Sequence, residues 1–176
     1  MKKILHVGCC REPLPSFYPS SEWYEVRVDA DIKESIIDVA ADVRILPFFN
    51  NCFDGIFASH LLEHFDSRER HPLLEEWKRV LIPGGFIYIV VPNIAAKEVI
   101  QALTENSPDK VIYTNNSGIS ITANQLLYGQ YYPGQYEIHR WGYAPQTLKE
   151  FLLKYLVNIQ VVDQGLQICA VGYKKV

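Results

Sequence analysis

Phe86-Ile87-Tyr88-Ile89-Val90-Val91 is an unbroken run of β-forming residues directly after Pro83-Gly84-Gly85. A run without polar alternation is expected of a strand covered on both faces, the condition of a central strand in a parallel sheet. Upstream, Leu73, Leu74, Trp77, Val80 and Leu81 recur at helical spacing and form an amphipathic stripe. The pattern turns helical from Leu61 onward, and Pro83-Gly84-Gly85 is expected to terminate that helix sharply. A helix feeding a doubly covered strand is one half of a βαβ unit. Strands interleaved with helical segments imply an α/β fold built on a Rossmann-like, doubly wound, mostly parallel sheet.

The rest of the chain agrees. Ile4-Leu5-His6-Val7 reads as a buried strand ending in the turn residue Gly8. Between Arg11 and Tyr24, Pro13, Pro15 and Pro19 oppose a long regular helix. Tyr24–Asp29 alternates as a second strand, Ile36–Ala41 is a third apolar stretch ending at Asp42, and Phe53–Ala58 is a fourth strand running into Ser59-His60. After the central strand, residues 93–104 predict a helix, and Thr104–Thr122 is polar and turn-rich. Ala123–Tyr128 reads as a short helix. Gly129–Trp141, with Tyr131, Tyr132, Tyr136, His139 and Trp141, reads as an aromatic loop. Pro145 opens a last helix to Tyr155, and Asn158–Val162 with Gln167–Tyr173 predict an antiparallel C-terminal hairpin around Gly165, at the sheet edge.

At 176 residues the chain suits a single domain, 1–176, with an insert at about 104–143 facing substrate. A net charge of −3 supplies no basic field, so nucleic acid is not expected as a partner. Phe86–Pro92 is far short of the roughly 20 apolar residues that span a bilayer, so no membrane insertion is expected. A strand begins almost at Met1, without a signal peptide. Cys9, Cys10, Cys52 and Cys169 have neither CxxC nor zinc-finger spacing. Reduced thiols in a cytoplasmic protein are the simplest reading.

A strand, a glycine turn and an acid at the end of the next strand make the nucleotide-binding half of such a sheet. Gly8 allows close backbone approach to a ligand. Asp29, 21 residues on, has the spacing of a carboxylate that accepts from ribose hydroxyls. One Gly and one Asp also fit a plain strand–turn–strand. No full G-x-G-x-x-G follows the first strand, which argues against NAD.

Four ordered segments carry a resemblance: Leu5-His6-Val7-Gly8-Cys9-Cys10; Ala41-Asp42-Val43-Arg44-Ile45-Leu46-Pro47-Phe48 followed by Phe53-Asp54; Ser59-His60-Leu61-Leu62-Glu63-His64; and Arg79-Val80-Leu81-Ile82-Pro83-Gly84-Gly85-Phe86. Together they resemble the motifs of class I S-adenosylmethionine (SAM)-dependent methyltransferases, in a small bacterial subgroup of the type 11 kind. Ile121–Tyr128 and His139-Arg140-Trp141-Gly142-Tyr143 extend the likeness over almost the whole chain. The resemblance implies a mostly parallel seven-stranded sheet and SAM as cofactor. It places Gly8, Cys9 and Cys10 along the methionine and ribose, Asp29 on the ribose hydroxyls, and Asp42 with the Val43 amide at the adenine. Ser59 and His60 would face the methionine end and the acceptor. The chain departs from the family at His6 (often an acid), at Cys10 (usually Gly) and at Glu12 (near a common loop glycine). A Cys held at φ > 0 would be strained.

His60 and His139 are the candidate catalytic bases, since imidazole titrates near neutral pH. Tyr131, Tyr132, Tyr136 and Trp141 either close over the acceptor or pack beneath the loop. These groups suit a small-molecule or sugar acceptor, selected by Arg11–Tyr24 and the insert; the sequence is also compatible with a homodimer. Two rivals stay open. One is a non-catalytic methyltransferase-fold binding or partner subunit. The other is a zinc hydrolase through His60-x-x-Glu63-His64, with His60 and His64 as ligands, Glu63 as base and Glu75 or Glu76 as third ligand.

Overall fold

The computed structural model describes residues 1–10, 12–31, 36–114, 118–132 and 135–176, without the side chains of residues 130–137. Arg11, expected among the substrate-selecting residues, lies outside the described residues, as do the side chains of Tyr131, Tyr132 and Tyr136. The strands β1 (Lys2–Val7), β2 (Trp23–Asp29), β3 (Val39–Ala40), β4 (Phe53–Ser59) and β5 (Leu81–Pro92) pair in parallel. After β5 come two short hairpins, β6 (Val111–Thr114) with β7 (Ser120–Thr122) and β8 (Gly129–Tyr132) with β9 (Gln135–Ile138). Finally β10 (Val157–Asp163) and β11 (Gln167–Tyr173) form an antiparallel pair, and β11 runs antiparallel to β5. The main sheet thus has seven strands in the order β10-β11-β5-β4-β1-β2-β3, with β10 at the edge as the sequence predicts.

Residue alternation splits the core. Leu5, Ile56, Ile87, Ile89 and Val91 point to one face, which is covered by α1 (Arg70–Val80) through Leu73, Leu74 and Trp77 and by α4 (Pro145–Leu152) through Leu148, Phe151 and Leu152. Their neighbours Ile4, Phe57 and Val90 point to the other face and pack against Leu14, Tyr18 and Trp23. That second cover is a chain of turns rather than a helix, as its prolines require: the Tyr18 amide donates to Pro15 O at 2.9 Å and the Glu22 amide to Pro19 O at 3.0 Å. Tyr18 stacks on Phe86 with ring centroids 5.9 Å apart, and Trp23 meets the same ring edge-on at 5.7 Å.

The structure corrects several boundaries. The segment after Leu61 is not one helix: a 3-10 turn, Leu62–His64, precedes α1, and α1 ends at Val80, before Pro83-Gly84-Gly85. Pro83 disfavours helical geometry at Ile82, so the chain is already extended from Leu81. Pro83-Gly84-Gly85 instead lies within β5 as a bulge, where the pairing shifts from Phe53–Leu81 to Gly55–Phe86. Gly84 has φ +78, and a Cβ on Gly85 would stand 3.0 Å from Asp54 O, so this bulge demands glycine. The third strand shrinks to Val39–Ala40, and Ile36 is exposed. The last helix stops at Leu152 rather than Tyr155.

The insert is more regular than expected. The turn-rich stretch contains the β6–β7 hairpin, and the aromatic loop contains the β8–β9 hairpin. α2 (Lys97–Thr104) starts four residues later than predicted, whereas α3 (Ala123–Tyr128) has the predicted limits. Thr122 sets the start of α3 through a capping box: its Oγ1 accepts from the Gln125 amide at 3.2 Å, and its own amide donates to Gln125 Oε1 at 2.9 Å. Ala96, Val99, Ala102, Ala123 and Leu126 give α2 and α3 a small core of their own.

Candidate functional site

Beyond the C-terminal ends of β1, β2 and β4 lies a cavity of about 330 Å³. Gly8, Asp29, Asp42 and Val43 line it, together with Arg44, His64, Glu69 and Arg140. Cys9, Cys10 and Ser59, expected beside the same ligand, and His60 and His139, expected beside the acceptor, do not line it.

Gly8 has φ +62, and a Cβ there would stand 2.7 Å from the Leu61 side chain. The left-handed backbone favours glycine, and a side chain there would also have to displace Leu61. Cys9 is buried, and burial pushes its thiol up, leaving its backbone as the part available to a ligand. Cys10 adopts φ +40, the strained conformation anticipated for a non-glycine residue. Two buried charged residues hold it there: its amide donates to Asp29 Oδ2 at 2.9 Å, and its carbonyl accepts from Arg27 Nη2 at 3.1 Å. Arg27 also donates to Glu25 Oε1 at 3.0 Å, and that oxygen lies 2.7 Å from His6 Nδ1. The departure at position 6 thus belongs to a polar ladder under the first loop. Burial holds the His6 imidazole below its ordinary value, against the opposing pull of Glu25.

Asp29 ends β2 as predicted, with Oδ1 accepting from the Asp31 amide at 3.0 Å. Asp42 is embraced by Arg44, whose Nε lies 3.0 Å from both carboxylate oxygens and whose Nη2 lies 2.7 Å from Oδ2. This hydrogen-bonded guanidinium holds the Asp42 carboxyl below the usual range. Arg44 continues across the cavity to Glu69 Oε1 at 2.9 Å, and Arg140 meets Glu69 Oε2 at 3.3 Å. Val43 is fixed from behind, because its carbonyl accepts from the fully buried Trp77 Nε1 at 3.1 Å.

The sequence-predicted histidines converge. His60, just past Ser59, has φ +50 and sits at the strand end. His139 stands 79 residues later in the chain, yet both rings approach one carboxylate. Glu63 Oε1 is 3.5 Å from His60 Nδ1 and 4.0 Å from His139 Nε2, ion-pair contacts longer than hydrogen bonds. The segment is stapled by the Glu63 carbonyl, which accepts from the Arg140 and Trp141 amides at 2.8 and 3.0 Å. Burial pushes the His60 imidazole down, but Glu63 and Gln167 outweigh it and leave the ring above its ordinary value. His139 is held below its ordinary value, chiefly by burial. The Arg70 guanidinium stacks over the Trp141 ring at 3.7 Å.

Sequence reasoning missed Leu61, Arg44, Glu69 and Arg140, and it gave Glu63 a part only in the zinc reading. The third ligands offered there are engaged elsewhere: Glu75 pairs with Lys78 at 2.8 Å, and Glu76 with Arg79 and the Leu46 amide, both at 2.7 Å.

The seven-stranded Rossmann-like sheet, with Gly8 and Asp29 on one cavity, has the strand order of a methyltransferase-like fold. A family model described as a methyltransferase domain matches residues 19–89. Among solved structures, a SAM-dependent methyltransferase from Methanosarcina mazei superposes with a TM-score of 0.64 at 13% identity, covering 99% of this chain and 93% of that one. One from Archaeoglobus fulgidus gives 0.63 at 15%, covering 98% and 86%. The 1,6-didemethyltoxoflavin-N1-methyltransferase of Burkholderia thailandensis, solved with 1,6-didemethyltoxoflavin and S-adenosylhomocysteine, gives 0.61 at 16%, covering 99% and 72%. None of the curated proteins matches the chain. The chain thus carries a methyltransferase-domain match over residues 19–89 and has the fold of SAM-dependent methyltransferases. Among the described residues no helix is long and apolar enough to cross a membrane.

Proposed function

We propose that the protein methylates a small-molecule or sugar-type acceptor in the cytoplasm, with SAM along Gly8, Cys9, Cys10, Asp29, Asp42, Val43 and Ser59 and the acceptor beside His60 and His139. The observation that carries this reading is the single cavity joining Asp29 and Asp42 to the side bearing His64 and Arg140. The residues suit the cofactor: Gly8 turns at φ +62 beside the cavity, Asp29 ends its strand at the same cavity as a ribose-binding acid would, and Val43 offers an apolar wall. Asp42 keeps acceptor capacity beyond Arg44, because a carboxylate has about four lone-pair sites.

SAM supplies an activated sulfonium methyl. The protein's part is then mostly alignment, which contributes roughly 7–11 kcal/mol in favourable cases. Gly8 and Asp29 fix the cofactor end. The Glu63 carbonyl, holding Arg140 and Trp141, fixes the acceptor end. A hydroxyl acceptor must lose its proton, and the candidate bases are the imidazoles of His60 and His139, which flank Glu63 behind the cavity lining.

One observation favours the non-catalytic reading: both oxygens of Asp42 are already engaged by Arg44. Calorimetric titration with SAM, S-adenosylhomocysteine and NAD⁺ separates the two. Micromolar binding of the first two, without NAD⁺ binding, supports the enzyme and opens an acceptor screen starting with sugars and small acids. Absence of SAM binding at millimolar concentration makes the partner-subunit reading the better one.

A further inference from the structure

Glu63 is a buried carboxylate left without a hydrogen-bond partner. Its side chain is 1% exposed, and neither carboxylate oxygen has a hydrogen-bond partner. A buried carboxylate in that condition costs several kcal/mol unless something positive meets it. Two imidazoles face it in a particular way. His64 turns Nδ1 to the Ile138 carbonyl at 3.1 Å, and His139 turns Nδ1 to the Leu126 carbonyl at 2.9 Å. Each carbonyl can only accept, so in both rings Nδ1 carries the hydrogen and Nε2 keeps its lone pair when the ring is neutral. Backbone carbonyls orient metal-ligating histidines by this same bond.

We propose that Glu63, His64 and His139 bind a divalent first-row transition-metal ion such as Zn²⁺. One ligand atom from each lies within 4.8 Å of the others. Ligands about 2.0–2.2 Å from a tetrahedral ion stand roughly 3.3–3.5 Å apart, so closure needs movements of about 1 Å or less. The partly exposed His64 ring, at 5.2 Å centroid distance from His139, has the freedom to supply much of this. Imidazole and carboxylate donors together select zinc, iron, cobalt or nickel over magnesium and calcium.

This assignment differs from the H-x-x-E-H reading of the sequence. There His60 and His64 were the ligand pair and Glu63 the base. Here His60 still meets Glu63 at 3.5 Å but lies outside the set of mutually close ligand atoms, in which His139 joins Glu63 and His64. Three protein ligands leave a fourth position, and His64 also lines the cavity. An acceptor oxygen completing the shell would be polarised there, a role that rests on the proposed methyl transfer, whereas metal binding itself does not.

The test uses the full chain, stripped with EDTA and dialysed. Zn²⁺ alone is titrated by calorimetry, and Co²⁺ alone is followed by its visible d–d absorption. The expected result is about one equivalent of Zn²⁺ bound at micromolar Kd or tighter, with a Co²⁺ spectrum of low coordination number. His64→Ala, on the exposed side of the cluster, and the isosteric Glu63→Gln should each weaken Zn²⁺ at least about 100-fold, with far-UV circular dichroism unchanged. His60→Ala should leave Zn²⁺ affinity within about threefold. No Zn²⁺ binding by the wild type, equal binding by His64→Ala, or loss of binding in His60→Ala overturns the site. SAM affinity is read in a parallel titration: metal binding without SAM binding leaves this site standing and removes the methyltransferase reading.

Discussion

The proposed cofactor end and the proposed acceptor end of the site are built in different ways. The cofactor end grows from strand termini: Gly8 closes β1, Asp29 closes β2, and Val43 is pinned to the buried Trp77. Its polar groups are matched, with Asp29 taking backbone amides on both oxygens and Arg27 gripping the first loop. The acceptor end is assembled from a 3-10 turn and a segment more than seventy residues away, joined through the Glu63 carbonyl. Its central carboxylate is unmatched. Preorganisation at one end and an unfilled demand at the other are what a fixed cofactor and a second ligand require.

The contrast can be broken by mutation. Trp77→Ala should have the largest effect, about 3–5 kcal/mol of stability from the lost core volume, with loss of the Val43 anchor; chemical denaturation reads it. Gly8→Ala should weaken SAM by at least about tenfold, because the φ +62 backbone and the Leu61 contact must both adjust at a strain of about 1–3 kcal/mol. Glu63→Gln should act in the opposite sense on the metal-free protein. Replacing a buried carboxylate that has no hydrogen-bond partner, and meets His60 and His139 only at 3.5 and 4.0 Å, is expected to stabilise by about 1–3 kcal/mol, and an unchanged or lower denaturation midpoint would show the acceptor end to be as well matched as the other. Arg44→Ala, breaking exposed ion pairs, should change stability by less than about 1 kcal/mol. A larger loss would make the Arg44–Glu69–Arg140 bridge a structural element rather than a cover.

The pH dependence is the finest of these comparisons. Because burial lowers the His6 pKa below 6.5, the unfolded chain takes up this proton more readily than the folded one. The His6 contribution is therefore complete above about pH 7 and is lost as pH falls through 6.5 and below. His6→Gln should flatten that part of the stability–pH curve, and an unaltered slope would mean that the ladder under the first loop does not titrate as its burial requires.

The legible parts of this fold are those set by local pattern. Phe86–Val91 announces a doubly covered strand, Gly8 and Asp29 mark the strand ends that face the cavity, and Gly165 sits between the paired strands β10 and β11. What stayed hidden depends on contacts between distant segments. Val111–Thr114 and Ser120–Thr122 are short and mostly exposed, and they pair only with each other, so no apolar alternation reveals them. Pro83-Gly84-Gly85 carries the letters of a helix stop, but the Lys174 carbonyl accepts from Gly84 and turns them into a bulge. Arg44 and Glu69 meet only after folding. Glu63 was visible within a motif, but its partner His139 became apparent only once the left-handed backbone at His60 and the staple to Arg140 were seen.

The most direct test of the cofactor placement is calorimetric titration of SAM into the wild type and Asp29→Ala, with NAD⁺ as control. The account predicts micromolar SAM binding, none for NAD⁺, and at least about a tenfold loss in Asp29→Ala, equivalent to about 1.4 kcal/mol. SAM binding that is unchanged by Asp29→Ala, or NAD⁺ binding in its place, would contradict it.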